Sequence, residues 1–134
     1  MPHLHIEYSK GVSDTVEIAE LCATVHRVML ADSVFPTAGI RVRAFCADHA
    51  IVADGLAEND FVAMTLSVGA GRSTEVLHAA GQKIFAAAQD TLQPLLSTTH
   101  FSLSLEIREI NPDLSWKDTP IHARLSATEK KNSP

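Results

Sequence analysis

The chain has 134 residues, 46% of them hydrophobic and 20% charged, which is typical of one globular domain large enough to bury a core. Its net charge of −5 argues against nucleic acid, because proteins that neutralise phosphates carry a basic surface. No apolar run approaches the roughly 18 residues of a membrane span, and the start lacks the basic and then apolar layout of a secretory signal. We therefore expect a cytoplasmic protein that binds neither nucleic acid nor a membrane.

The first predicted element is a β-strand over residues 2–8, in which side chains alternate between two faces. Leu4, Ile6 and Tyr8 share one face, and His3, His5 and Glu7 share the other. Pro2 stands at the start of the strand, where a missing backbone N–H costs least. Cells commonly remove an initiator methionine that precedes a residue as small as proline. Removal would leave Pro2 with a free secondary amine, which is a base at the tip of a strand.

A helix is predicted next. Gly11 supplies a turn, and Ser13 or Asp14 is expected to cap the helix, with Glu17 as the capping-box partner of Asp14. The apolar residues that recur at helical spacing are Ile18, Leu21, Cys22, Val25 and Val28 or Met29. A Phe-Pro pair and a glycine then break the chain before an alternating strand, so residues 2–46 are predicted to form a β-α-β unit.

A similar unit recurs sixty positions later, with a strand over residues 61–68, a helix ending near Pro94 and a strand over residues 101–110. The predicted fold class is therefore α/β (α+β), with tandem β-α-β repeats over residues 2–46 and 61–110. The paired strands are expected to be parallel, in a four-stranded sheet with two helices on one face. The other face has no partner within the chain, and we expect it to pack against neighbouring subunits.

Two kinds of candidate metal ligand are present, and neither pattern favours a metal site. Cys22 and Cys46 fall at apolar positions without a Cys/His cluster, and we interpret both as buried thiols. His3 and His5 share a strand face at a spacing that could hold a metal. Because no third ligand lies near them in the sequence, we predict a polar strand face and no metal.

Four segments resemble motifs of the tautomerase superfamily and, within it, of the 5-carboxymethyl-2-hydroxymuconate isomerases: PHLHIEYS, FPTAGIRVRA, MTLSVGAGRS and LEIREINPDLSWK. They occur in the family's order and spacing. The resemblance covers residues 2–125 and predicts a single domain over residues 1–125. Residues 126–134 are polar, and we predict that they form a disordered tail.

The resemblance implies a homotrimer that needs no metal or organic cofactor. It implies ketonisation of a small polycarboxylate, a hydroxymuconate derived from homoprotocatechuate, with Pro2 as the general base. It also matches Arg41 to a strand arginine that polarises a substrate carboxylate, and Arg72 to the arginine of a Gly-Arg-Ser turn. Trp116 matches an aromatic wall of the site.

The residues themselves support these assignments to different degrees. Arg72 precedes a predicted helix, where backbone N–H groups and the helix dipole favour anions. Arg41 and Arg43 share a strand face, and their planar guanidinium groups suit carboxylates, although such pairs are often only surface charges. Trp116 could equally be a packing residue. Since Val62 stands where Pro2 would recur, we expect one active site per subunit.

Two alternatives remain open at the level of sequence. One keeps the fold and the base but changes the substrate, to another 2-hydroxydienoate or enol, or to a hydratase or dehalogenase reaction. The other is a trimeric binding module in which Pro2 is structural, because a fold does not fix a function.

Overall fold

The computed structural model describes the backbone of residues 1–132 and the side chains of residues 1–128. Its helices and strands follow the two predicted units, with a short extra helix inside the second unit and another helix after it. In chain order they are β1 His3–Ser9, α1 Ile18–Ala31, β2 Arg41–Ala47, β3 Asp60–Gly69, α2 Thr74–Thr91, α3 Gln93–Leu96, β4 Phe101–Ile110 and α4 Pro120–Asn132.

The four strands form one mixed sheet in the order β2-β1-β3-β4. β1 pairs with β2 and β3 pairs with β4 in parallel, whereas β1 and β3 meet in antiparallel orientation at the centre. The predicted pair of β-α-β units in a four-stranded sheet is therefore confirmed. At the start of β1, His3 lies between Arg41 of β2 and Ser67 of β3, which brings β2 next to the beginning of the chain.

The core lies between one face of the sheet and the two long helices. Alternate residues of β1 and β3 are buried completely, or almost so, on this face, as the period of two requires. α1 and α2 pack against each other over it, which confirms that both helices lie on one side. Burying each large apolar side chain stabilises the fold by about 1.5–3 kcal/mol. The fully buried large side chains are Leu4, Ile6, Val12, Leu21, Val25, Met29, Val62, Met64, Leu66, Val68, Ile84 and Leu92.

The start of the first helix differs from the prediction. A 3₁₀ turn, Lys10–Asp14, comes first, and α1 begins only after Glu17, whose side chain makes no capping hydrogen bond. The capping box predicted at Ser13 or Asp14 is therefore wrong. The physical reason is burial: this turn places Val12 in the core, and the apolar pattern that predicts the helix does not register a separate turn.

The C-terminal segment also differs from the prediction. Residues 126–132 of the predicted disordered tail belong to α4, Pro120–Asn132, while residues 133 and 134 lie outside the described residues. The local signals for a helix are present, because Pro120 occupies the first helical position and the Thr119 hydroxyl accepts a hydrogen bond from the backbone N–H of His122 at 3.0 Å. Alanine, glutamate and lysine in the segment are strong helix formers.

Neither cysteine is bonded in a disulfide, and the burial predicted for them is only partly right. Cys22 is half-buried on α1, and this burial raises the pKa of its thiol, but Cys46 is exposed at the edge of the sheet. Among the described side chains, those of residues 1–128, no group of three from His, Cys, Asp and Glu could hold a metal ion. None of the described helices is long and apolar enough to cross a membrane.

Candidate active site

A cleft surrounds the beginning of the chain, where β1 and β2 start beside the end of β4. It consists of three adjoining cavities of about 360, 280 and 220 Å³, and each of them is lined by Met1 and Lys117. We call these three cavities together the N-terminal cleft. Their walls come from residues 36–39, from the start of β2 and from residues 110–122, which connect β4 to α4.

Pro2 is buried next to this cleft, directly after Met1, which lines it. Its carbonyl accepts a hydrogen bond from the backbone N–H of Arg41 at 3.0 Å, which fixes it to β2. Gly39 lies directly against the proline ring: a Cβ atom at position 39 would stand 2.9 Å from Cδ of Pro2. The loop before β2 therefore approaches Pro2 as closely as a glycine allows. With Met1 attached, the nitrogen of Pro2 is an amide and has no basic lone pair.

Arg41 is the predicted arginine whose side chain contacts Met1. It is half-buried, and its Nη1 donates to the carbonyl of Gly39 at 3.1 Å and contacts Sδ of Met1 at 3.9 Å. It lines the 280 Å³ cavity together with His3 and Trp116. Its guanidinium therefore faces the space that a carboxylate would enter.

Arg43 points to a different partner. It is exposed, and its Nη1 lies 3.3 Å from Nδ1 of His3. Because a guanidinium only donates hydrogen bonds, Nδ1 of His3 is the acceptor and the imidazole is neutral. Partial burial, followed by the charges of Arg41 and Arg43, lowers the pKa of His3, in agreement with a neutral ring. Arg43 thus acts on the cleft through His3 and not by direct contact with Met1.

Arg72 lies in the turn before α2, and backbone carbonyls occupy much of its hydrogen-bonding capacity. Nε and Nη2 donate to the carbonyl of Val34 at 3.2 and 2.9 Å, and Nη1 donates to the carbonyl of Gly69 at 3.1 Å. Its charge still lies close to the beginning of the chain, because Arg72 and Met1 both adjoin Gly69. A Cβ atom built on Gly69 would stand 3.9 Å from Nη1 of Arg72 and 3.8 Å from the amine of Met1. Arg72 therefore ties two loops together at the edge of the cleft.

Trp116 and Lys117 follow the turn after β4. Trp116 borders the 280 Å³ cavity but is 85% exposed. Within a single chain its ring therefore lies at the entrance of the cavity and does not enclose it. Lys117 was not predicted from the sequence, although it is adjacent to Trp116 in the Ser-Trp-Lys segment. The signal available was its charge: an acidic protein that binds a polycarboxylate needs every cation near its site.

The electrostatics of the cleft favour a neutral amine. Burial, followed by the charges of Lys117, Arg72 and Arg41, lowers the pKa of the Met1 amine from the ordinary value. A neutral amine can accept a proton, and the same cations can hold carboxylates and stabilise an enolate. The cleft thus combines the groups that a proton transfer on an anionic substrate requires.

The second β-α-β unit does not reproduce this arrangement. Residues of β3 correspond to those of β1 sixty positions earlier. The strand pairing then makes each residue of β4 correspond to the residue of β2 that lies 63 positions earlier, so Ser104 takes the place of Arg41 and Glu106 takes that of Arg43. Asp60 lies just before the counterpart of the chain's beginning and accepts a hydrogen bond from the Ser9 hydroxyl at 2.6 Å. The second unit therefore carries a serine and a glutamate where the first unit carries Arg41 and Arg43, and an aspartate at the start of its first strand.

The comparisons with known proteins agree on one family. The family model for 5-carboxymethyl-2-hydroxymuconate isomerase matches residues 2–125. The Escherichia coli 5-carboxymethyl-2-hydroxymuconate Delta-isomerase is 36% identical over 123 residues, which are 92% of this chain and 98% of that protein. The crystal structure of a 5-carboxymethyl-2-hydroxymuconate isomerase from Deinococcus radiodurans R1 superposes with a TM-score of 0.86 and 36% identity, covering 92% of this chain and 93% of that one.

A more distant structure shares the fold alone. A fused 4-OT protein, described as a symmetric trimer, superposes with a TM-score of 0.61 at 17% identity, over 87% of this chain and 93% of that one.

Proposed function

Because this chain belongs to the 5-carboxymethyl-2-hydroxymuconate isomerase family, we propose that it isomerises 5-carboxymethyl-2-hydroxymuconate without a cofactor, as a cytoplasmic enzyme of homoprotocatechuate degradation. The observation that supports this proposal best is the N-terminal cleft, in which the start of β1 lies beside Arg41 and Lys117. A small polycarboxylate is the substrate that such a cationic cleft in an acidic protein suits.

In the proposed reaction a 2-hydroxydiene becomes a 2-oxo-3-ene. After removal of Met1, the neutral amine of Pro2 accepts the proton of the 2-hydroxyl group, which leaves a dienolate. The resulting ammonium group then returns a proton to C5 of the substrate, so that the amine is regenerated and the atoms balance. Only a base and stabilising cations are needed, because no electrons leave the substrate.

The three arginines and Trp116 have different proposed roles in substrate binding. Arg41 holds a substrate carboxylate and stabilises the negative charge of the dienolate, since its guanidinium lines the cleft beside Pro2. Arg72 contributes its charge and fixes the two loops that it bonds. Trp116 supplies an aromatic surface at the rim. Arg43 keeps His3 neutral and oriented, and so acts on the site indirectly.

The proposed enzyme is a homotrimer with one active site per subunit. The replacement of Arg41 and Arg43 by Ser104 and Glu106 at the matching positions of the second unit supports a single site. The description of a fused 4-OT relative as a symmetric trimer supports the assembly.

The decisive experiment compares the processed chain with a chain whose terminus is blocked. A glutamine inserted between Met1 and Pro2 retains the methionine and keeps the nitrogen of Pro2 in an amide. We expect the processed chain to convert the dienol and the blocked chain to be almost inactive. The loss of the ultraviolet absorbance of the dienol measures the conversion. Mass spectrometry verifies each terminus, and circular dichroism verifies that both chains are folded.

Equal turnover by the two forms would remove Pro2 from the mechanism. Assays with 2-hydroxymuconate and with a 3-haloacrylate test the alternative that the same base acts on another substrate. Faster turnover of either compound than of 5-carboxymethyl-2-hydroxymuconate would favour that alternative. Pro2→Ala is a weaker test, because it leaves a primary amine at the terminus.

A further inference from the structure

Lys117 is the cation of the N-terminal cleft whose side chain is least engaged by the fold. It lines all three cavities, whereas Arg41 lines one of them. Its ammonium forms no ion pair within 4.0 Å among the described residues, although Asp118 is next to it in the chain and borders the 280 Å³ cavity. Arg72, by contrast, donates three hydrogen bonds to backbone carbonyls.

Arg41 and Lys117 approach the cleft from different sides. Arg41 projects from β2 and is held by the carbonyl of Gly39, while Lys117 projects from the segment between β4 and α4. A linear dicarboxylate can be held at two points, but a branched tricarboxylate needs a cation in a third direction. The ammonium group of a lysine, at the end of a flexible four-carbon stem, suits a carboxylate on a flexible branch.

We infer that Lys117 binds the carboxylate of the carboxymethyl branch and thereby selects branched tricarboxylates over dicarboxylates. The inference rests on the proposed function, because 5-carboxymethyl-2-hydroxymuconate carries one carboxylate more than 2-hydroxymuconate. The charge of Lys117 also contributes to the lowered pKa of the Met1 amine, in agreement with its position close to the reacting end of the cleft.

The test measures binding first, so that it does not depend on turnover. Isothermal titration calorimetry on the processed chain compares tricarballylate with glutarate, which has the same backbone without the branching carboxylate. We expect tricarballylate to bind more tightly, and Lys117→Met to reduce the ratio of the two affinities roughly tenfold to a hundredfold, as expected for one charge-assisted hydrogen bond. Lys117→Arg keeps the charge and should recover most of that ratio.

Lys10→Met is the matched control, because Lys10 is also an exposed lysine but follows the opposite end of β1. It should leave the affinity ratio unchanged. A ratio of affinities that Lys117→Met does not alter, or an equal loss of affinity for both ligands, would overturn the inference.

A kinetic experiment compares 5-carboxymethyl-2-hydroxymuconate with 2-hydroxymuconate as substrates, at a pH high enough for the terminal amine to be neutral. The ratio of the two kcat/KM values should change in the same way as the ratio of affinities. If the wild-type chain converts neither, the proposed function fails while the calorimetric ratio still decides the role of Lys117.

Discussion

At the scale of single residues, Arg41 and Arg43 are the same side chain two positions apart on one strand, yet their surroundings differ. Arg41 is half-buried and faces the cleft, whereas Arg43 is exposed and contacts His3. A guanidinium that touches a substrate carboxylate in the transition state stabilises it more than one that acts through a neighbour. The two residues therefore offer an internal comparison of direct and indirect roles.

We predict that Arg41→Ala lowers kcat/KM tenfold to a thousandfold, since loss of such a contact costs about 1.5–4 kcal/mol. Arg43→Ala should have a smaller effect, of about threefold, because His3 keeps its place in β1. Arg27→Ala, an exposed arginine on α1 paired with Glu20, is the control for simple loss of charge. Steady-state kinetics at constant ionic strength measure all three, and wild-type kinetics in Arg41→Ala would make that arginine a surface charge.

The pH dependence should report the surroundings of the amine. The pKa of the Met1 amine is lowered first by burial and then by three cations, and we expect the same surroundings to lower the pKa of the amine of a processed Pro2. Because the proposed base is the neutral amine, kcat/KM should rise with pH and reach a plateau. Its midpoint should lie below the pKa of about 7.7–8.0 of an ordinary α-amino group. A midpoint above that range, measured between pH 5 and 9, would mean that the cations do not reach the amine.

The sequence identifies the chemistry of the site better than its geometry. Pro2, Arg41 and Trp116 stand out from their motifs; Arg41 and Trp116 line one cavity, and Pro2 is buried directly after Met1, which lines it too. The role of Arg72 depends on the carbonyls of Val34 and Gly69, which lie 38 and three positions away and follow no periodicity. Lys117 enters the cleft only through the path of the segment after β4, and a pattern of apolar residues does not determine such a path.

At the scale of elements, Arg72 joins the loop after α1 to the end of β3. The bonds from Nε and Nη2 to one carbonyl use the planar, forked shape of the guanidinium, which a lysine lacks. We predict that Arg72→Lys lowers the free energy of unfolding by about 1–3 kcal/mol, because a single ammonium group cannot replace all three hydrogen bonds to the carbonyls of Val34 and Gly69. Urea denaturation of the two chains measures the difference.

The same substitution separates the two effects of Arg72 on activity. The lysine keeps the positive charge near the amine, so the kinetic pKa should change little while KM rises as the loops lose their alignment. If Arg72→Lys retained both wild-type stability and wild-type KM, the hydrogen bonds to the loops would have no functional role.

Elements with a strong period were predictable, and elements set by local caps or tertiary contacts were not. β1 and β3 alternate regularly because one face of each is buried completely, and their register follows from that pattern. The 3₁₀ turn before α1 exists because Val12 enters the core, which only the packed fold reveals. For α4 the Thr-Pro start was visible in the sequence, but its polar composition outweighed that signal.

At the scale of the whole molecule, one face of the sheet is covered by none of the described helices. Its side chains are half-buried or exposed along all four strands, and on β2 the ring of Phe45 is 51% exposed and stacks on His5 at a centroid distance of 4.9 Å. The edges differ as well, since β2 carries Arg41 and Arg43 whereas β4 carries Glu106 and an arginine paired with it. A cyclic assembly joins two different surfaces of neighbouring copies, and two unlike edges provide them.

We predict that the protein is a homotrimer in solution and that assembly depends on this open face. Light scattering at micromolar concentration should give three times the mass of the 14.5 kDa chain. Phe45→Glu should dissociate the trimer, because it places a charge where an exposed aromatic ring is expected to be buried between copies, and burying an unpaired charge is costly. Leu30→Glu is the matched control: Leu30 is 46% exposed on α1, on the helical side of the sheet, and should leave the trimer intact. A stable wild-type monomer would refute the assembly, and an intact trimer in Phe45→Glu would move the subunit contact to another surface.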